Sequence, residues 1–73
     1  MGKLRVMSGR EACAILARPG FELVRQRGSH LVMQKHSEGM TITVPVPNHA
    51  ELRRGTLLGI IRQSGVPRES FEA

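Results

Sequence analysis

Hydrophobic and polar positions along the chain follow two different periods, and the switches between them mark out its elements. Past Ser8, the residues Ala12, Ile15 and Leu16 recur at helical spacing, with Cys13 beside them, which predicts an amphipathic helix with one core-facing side. Ser8-Gly9-Arg10-Glu11 has the S-x-x-E spacing of a capping box, so the helix begins there. It runs to about Arg18, where Pro19-Gly20 ends it. The period then shortens to two, predicting strands over about Phe21–Gln26, Ser29–Lys35 and Met40–Val44. The third gives the clearest signal, because Met40, Ile42 and Val44 alternate with Thr41 and Thr43. Gly28 supplies the turn between the first two strands, and His36-Ser37-Glu38-Gly39 the loop between the next two. One sheet face is therefore apolar, while the other carries His30, Gln34 or their neighbours with the threonines. Leu31-Val32-Met33 is unbroken, so the facing of the middle strand stays open.

Two prolines in Val44-Pro45-Val46-Pro47-Asn48-His49 remove ladder donors and predict that the sheet stops there. A second helix starts near Gly55-Thr56 with Thr56 as its N-cap, buries Leu57, Leu58, Ile60 and Ile61, and ends at Gly65. Val66 to Phe71 reads as one further turn that tucks Phe71 onto the core, and Met1 to Met7 carries no strong signal. The order α-β-β-β-α predicts an α+β fold. It is a two-layer sandwich with a three-stranded antiparallel sheet and both helices on one face, the plan of a double-stranded RNA-binding domain.

Residues 1–73 make one domain near the lower size limit for an unstapled core. The 40% hydrophobic share argues against disorder. A formal net charge of +5 on so short a chain points to an anionic partner: nucleic acid, an acidic protein, or a membrane surface. No apolar run is long enough to span a bilayer, and the N-terminus lacks a signal-peptide pattern, so no membrane role is expected. The single cysteine excludes an internal disulfide and fits a reducing compartment, with the cytoplasm as default. Cys13 reads as a small core residue. Two Phe and no Trp or Tyr leave no aromatic platform for stacking bases, so a nucleic-acid partner would be gripped by backbone and shape.

The chemistry concentrates in Arg25-Gln26-Arg27-Gly28-Ser29-His30. A histidine opening a strand beside a cationic turn combines proton exchange near neutral pH with fixed positive charge, which suits chemistry on a phosphodiester. His30, His36, His49 and Cys13 match no metal-ligand spacing, and the chain contains no Asp for a two-metal nuclease or a Ser-His-Asp triad. Neither metal nor cofactor is expected. Arg53 and Arg54 precede a helix N-terminus, an unfavourable place for cations unless an anion binds there; the other reading is two solvated arginines. His36 reads as a solvated loop residue, and His49 as a structural hydrogen bonder or a helper near the sheet edge.

Gly20-Phe21, Arg25 followed by Gly28-Ser29-His30, Thr43-Val44-Pro45 leading to His49, Arg53-Arg54-Gly55-Thr56-Leu57, Ile60-Ile61, and Gly65 with Phe71 occur in an order that resembles the HicA family of small bacterial toxins. The resemblance covers about Ser8 to Phe71. It implies a double-stranded-RNA-binding-like fold and an endoribonuclease that cleaves messenger RNA with His30 as its one catalytic histidine. It also implies silencing by a HicB-type antitoxin. A toxin that is monomeric when free and hetero-oligomeric with its antitoxin is expected. Arg25, Arg27, Gly28, Ser29 and Lys35 are the expected RNA contacts around the histidine, Arg53, Arg54 and Thr56 hold the backbone farther along, and His49 is a possible helper. The rival readings on the same fold are a non-catalytic double-stranded-RNA-binding module and a pure interaction protein.

Overall fold

The computed structural model describes residues 2–73. The chain folds in the order α1 (Gly9–Ala17), β1 (Glu22–Arg27), β2 (His30–Ser37), β3 (Met40–Pro47), α2 (Arg54–Ser64) and a closing 3-10 turn (Arg68–Phe71). This is the α-β-β-β-α order expected from the pattern of the chain, with one three-stranded antiparallel sheet in the order β1-β2-β3. Among the described residues no helix is long and apolar enough to cross a membrane.

The start of α1 is fixed by both halves of the capping box. The Glu11 N–H donates to Ser8 Oγ at 3.1 Å, and the Ser8 N–H donates to Glu11 Oε1 at 2.8 Å. The Ser8 backbone N–H, then its hydroxyl, holds the Glu11 carboxyl below its ordinary value.

The sheet's two faces follow from its register. Met33 pairs with Val44 and Leu31 with Val46, and all four are buried beneath the helices. The even-numbered residues of β2 therefore lie on the other face, opposite Pro47, Pro45, Thr43 and Thr41. Ala12, Ile15 and Leu16 of α1 and Leu57 and Ile60 of α2 join Leu31, Met33, Val44 and Val46 in one core, closed by Phe21 and Phe71.

Four expectations are corrected. The sheet does not stop at the prolines: β3 runs on through Pro45 and Pro47. Both prolines occupy the same parity of an edge strand. The Asn48 N–H reaches inward to the Ser29 carbonyl at 2.6 Å, so the proline nitrogens point outward, where no ladder donor is missing. The β2–β3 connection is shorter than the predicted loop, a Glu38-Gly39 turn with both residues at positive φ (49° and 77°). The strands lengthen accordingly, and His36 sits within β2 with its Nδ1 3.0 Å from Thr41 Oγ1. Thr56 is not the cap of α2, which starts two residues earlier with Arg53 at the N-cap and no side-chain cap bond. Leu58 points largely outward, leaving Leu57 and Ile60 as the buried pair.

The entry segment, silent in sequence, is tied down at both sides. The Arg5 N–H donates to the Phe71 carbonyl (2.9 Å), the Leu52 N–H donates to the Met7 carbonyl (2.8 Å), and Met7 is buried. Gly9 is also buried, against the end of β3. A Cβ there would collide with the Pro47 carbonyl oxygen and lie only 3.0 Å from its carbon. Glycine is what lets α1 begin so close to the strand carrying Pro47.

Candidate functional site

Helices cover one face of the sheet and leave the other open. His30 is the first residue of β2 and is exposed on that open face. Its placement is local. Gly28, with φ 57°, and Ser29 form the whole connection from β1, and the Gln26 side-chain amide braces the turn by donating to the Gly28 carbonyl at 3.2 Å. The strand that follows puts His30 directly opposite Arg27 on one side and Pro47 on the other.

The two-residue turn sets the arginines on this face, and a bulge farther along β1 returns the start of the strand to the helix side. Leu23 pairs with Met33 but Arg25 pairs with Val32, so one extra residue of β1 falls between them. The parity reverses there. Leu23 belongs with Met33 on the helix side, while Arg25 and Arg27 lie with Val32 and His30 on the open side. Arg25, Arg27, His30, Val32, Thr43 and Pro45 line a shallow depression of about 420 Å³. Val32 forms its apolar floor: it is buried although it belongs to no part of the helix-covered core. The ion pairs among the described residues are Arg5–Glu11 and Arg68–Glu72, so neither guanidinium at the depression is neutralised by a carboxylate.

On its other side His30 borders a second depression of about 240 Å³, shared with Pro45, Pro47, Thr56, Gly59, Ile60 and Gln63. It carries no formal charge apart from what His30 can acquire. The imidazole thus stands between a cationic hollow and a neutral one. It is the only side-chain type at either hollow that trades protons near neutral pH.

Of the residues singled out in sequence, Arg25, Arg27 and His30 come together, with Gly28 and Ser29 as the turn behind them, and Thr56 joins from α2. Lys35 does not. It pairs with Ile42 on the opposite parity, and its Nζ stands 6.0 Å from the centre of the Phe21 ring, on the helix side of the sheet. Arg53 and Arg54 line a separate hollow of about 230 Å³ with Arg5, Val6 and Leu57. His49 borders neither hollow at His30. Its carbonyl accepts the Gly9 N–H at 2.9 Å, and its side chain is exposed. Cys13 is half-buried, and burial pushes its thiol up with Arg10 only partly opposing, the reverse of what activates a nucleophile.

The site residues not foreseen as such are Val32, Thr43, Pro45, Pro47, Gly59, Ile60 and Gln63. Two signals in the chain carry them. Thr43, Pro45 and Pro47 continue the parity of the threonine face, and Thr56, Gly59 and Gln63 recur at i, i+3 and i+7 along one side of α2.

The family described as HicA toxin of bacterial toxin-antitoxin matches residues 9–66, a stretch that includes both hollows and His30. No curated protein and no solved structure matches the chain.

Proposed function

Because the chain belongs to the HicA family of bacterial toxins, which act opposite an antitoxin, we propose that it is a metal-independent endoribonuclease. In this reading it cleaves messenger RNA with His30 as general acid–base and is silenced by a HicB-type antitoxin. The observation that carries the reading is the cross-strand placement of His30 beside Arg27, on an uncovered sheet face whose two arginines have no carboxylate partner.

RNA brings its own nucleophile, so the protein has only to move a proton and stabilise charge. The 2′-oxygen attacks the adjacent phosphorus as its proton passes to the His30 imidazole. The bond from phosphorus to the 5′-oxygen breaks, and that oxygen takes a proton from water. The products are a 2′,3′-cyclic phosphate and a 5′-hydroxyl. General-base help of this kind contributes about 10²–10⁴-fold. Arg27 and Arg25, on the same sheet face as His30, would offset the charge gathering on the phosphate oxygens. Arg53 and Arg54 hold backbone farther from the scissile bond, and DNA, lacking the 2′-hydroxyl, is not cut. An antitoxin that covers the open face blocks His30 and both arginines at once.

The test is cleavage of a long single-stranded transcript in EDTA, with His30→Ala alongside. Wild-type cleavage leaving cyclic phosphate ends, with a loss of about 10²-fold or more in the variant, is the expected result. Equal cleavage by both overturns the role of His30. Salt-sensitive binding by both without cleavage would establish the non-catalytic binding module instead.

A further inference from the structure

The neutral hollow between β3 and α2 has a composition that the cleavage chemistry does not explain. Pro45 and Pro47 form one apolar wall, Ile60 closes it below, and Thr56 and Gln63 bring a hydroxyl and a carboxamide to the rim. Gln63 is exposed and makes no hydrogen bond among the described residues, which leaves its donor and acceptor to a ligand. Gly59 stands between Thr56 and Gln63. A glycine inside a helix is unfavourable, and packing does not demand this one, because a Cβ at Gly59 would meet nothing within 4 Å. What the missing side chain does is keep the hollow open.

We propose that this hollow is a nucleobase subsite. On this reading it receives the base next to the scissile phosphodiester, with the proline rings against its face and Gln63 and Thr56 on its edge. The proposal rests on the ribonuclease reading. Three observations favour a base as occupant. The hollow shares His30 with the cationic one, so a ribose–phosphate held at His30 directs its base there. It holds no arginine or lysine, which makes it a poor phosphate site and a suitable place for a neutral heterocycle. Its volume of about 240 Å³ falls below the roughly 300–1,000 Å³ of drug-sized ligand sites and suits a single ring system. Both phenylalanines are buried, so the prolines offer a flat apolar surface at this site in place of an aromatic platform. A carboxamide pairs with a base edge through a donor and an acceptor together, so Gln63 makes the subsite selective as well as adhesive.

The test uses Gly59→Leu, which fills the hollow, and Gln63→Ala, which empties its rim, each beside wild type and His30→Ala. Cleavage sites on a mixed-sequence transcript are mapped. Affinity is measured for uncleavable 2′-O-methyl oligonucleotides carrying an abasic residue at each position in turn. Wild type is expected to lose about fivefold or more in affinity at one abasic position, the lower end of what a stacked base contributes. Gly59→Leu should show no such penalty there, and Gln63→Ala should cleave with a relaxed base preference. Cleavage maps and abasic penalties unchanged in both variants would overturn the subsite while leaving a His30-dependent nuclease standing. An abasic penalty abolished by Gly59→Leu in a protein that His30→Ala does not impair would keep the subsite and remove the catalytic assignment.

Discussion

Replacing Gly9 by alanine tests whether the start of α1 holds the wall of the site in place. The added methyl collides with the Pro47 carbonyl oxygen and sits 3.0 Å from its carbon and 3.2 Å from Asn48 Cα. Ordinary carbon–carbon contact is about 3.5–4.0 Å, so helix and strand end must part by about 0.5–1 Å. That displacement carries an overpacking cost of about 1–3 kcal/mol. It also pulls the Gly9 N–H away from the His49 carbonyl, now 2.9 Å distant, for about 1–3 kcal/mol more if the group is left unpaired. The gain in helix propensity returns at most about 0.5–1 kcal/mol. A net loss of about 2–4 kcal/mol follows, and for a domain of this size it lowers Tm by about 10–25 °C. Gly59→Ala, the same change where a Cβ meets nothing, supplies the control and should raise Tm by about 2–8 °C. Thermal melts followed by circular dichroism check both. A Gly9→Ala protein melting within about 2 °C of wild type would refute the close-approach argument, since the collision would then have been relieved at no cost.

The placement of the two candidate cations predicts unequal effects. Arg27→Ala should slow cleavage by about tenfold, less than the roughly 10²–10³-fold of a preorganised, water-excluded donor because this guanidinium is exposed to solvent, whereas Lys35→Ala, on the helix side, should slow it less than Arg27→Ala does. Equal losses in single-turnover rates would contradict the facing of β2. At the capping box the sign follows from a depressed carboxyl. Glu11 is more acidic folded than unfolded, so its contribution is fully present above the ordinary value of 4.5 and fades as pH falls through the lower folded value. Glu11→Gln should therefore be less stable than wild type at pH 7, with a gap that closes on acidification below 4.5; urea midpoints giving a constant gap would argue against the cap's charge.

The residues that form repeating patterns were legible in the chain, and those placed by breaks in a pattern were not. The capping box, the alternation of β3, the Gly65 stop at φ 73° and the burial of Phe71 each rest on a local rule that the fold keeps. Leu23 and Arg25 lie on opposite faces only because an extra residue at Val24 reverses parity, and period-two reasoning has no term for a bulge. Pro45 and Pro47 look like stop signals in sequence because their tolerance depends on which strand is the edge, a property of topology rather than of the proline. Lys35 is near the arginines in sequence, but five residues along a strand from His30 put it on the other face. The neutral hollow draws on β2, β3 and α2 together, and no single stretch of sequence announces it.

His30 is held in place by register more than by contacts. Among the described residues no hydrogen bond fixes its ring, and its strand neighbours alternate between core and open face. The orientation of the imidazole therefore follows from which residue pairs with Arg27. With a turn of two residues the answer is His30, and Leu31 then falls opposite Gln26 and turns into the core. One residue more or less in the Gly28-Ser29 turn would exchange the two, burying a histidine and exposing a leucine. The burial of Leu31 and Met33 against Val46 and Val44 thus opposes any slip of the catalytic candidate, and stability and site geometry are set by the same alternation. In a domain this small the core has few residues to spare. Using one strand for both purposes lets a single hairpin define the site and set both arginines beside it, while the edge prolines and α2 bring apolar wall and amide from the other side.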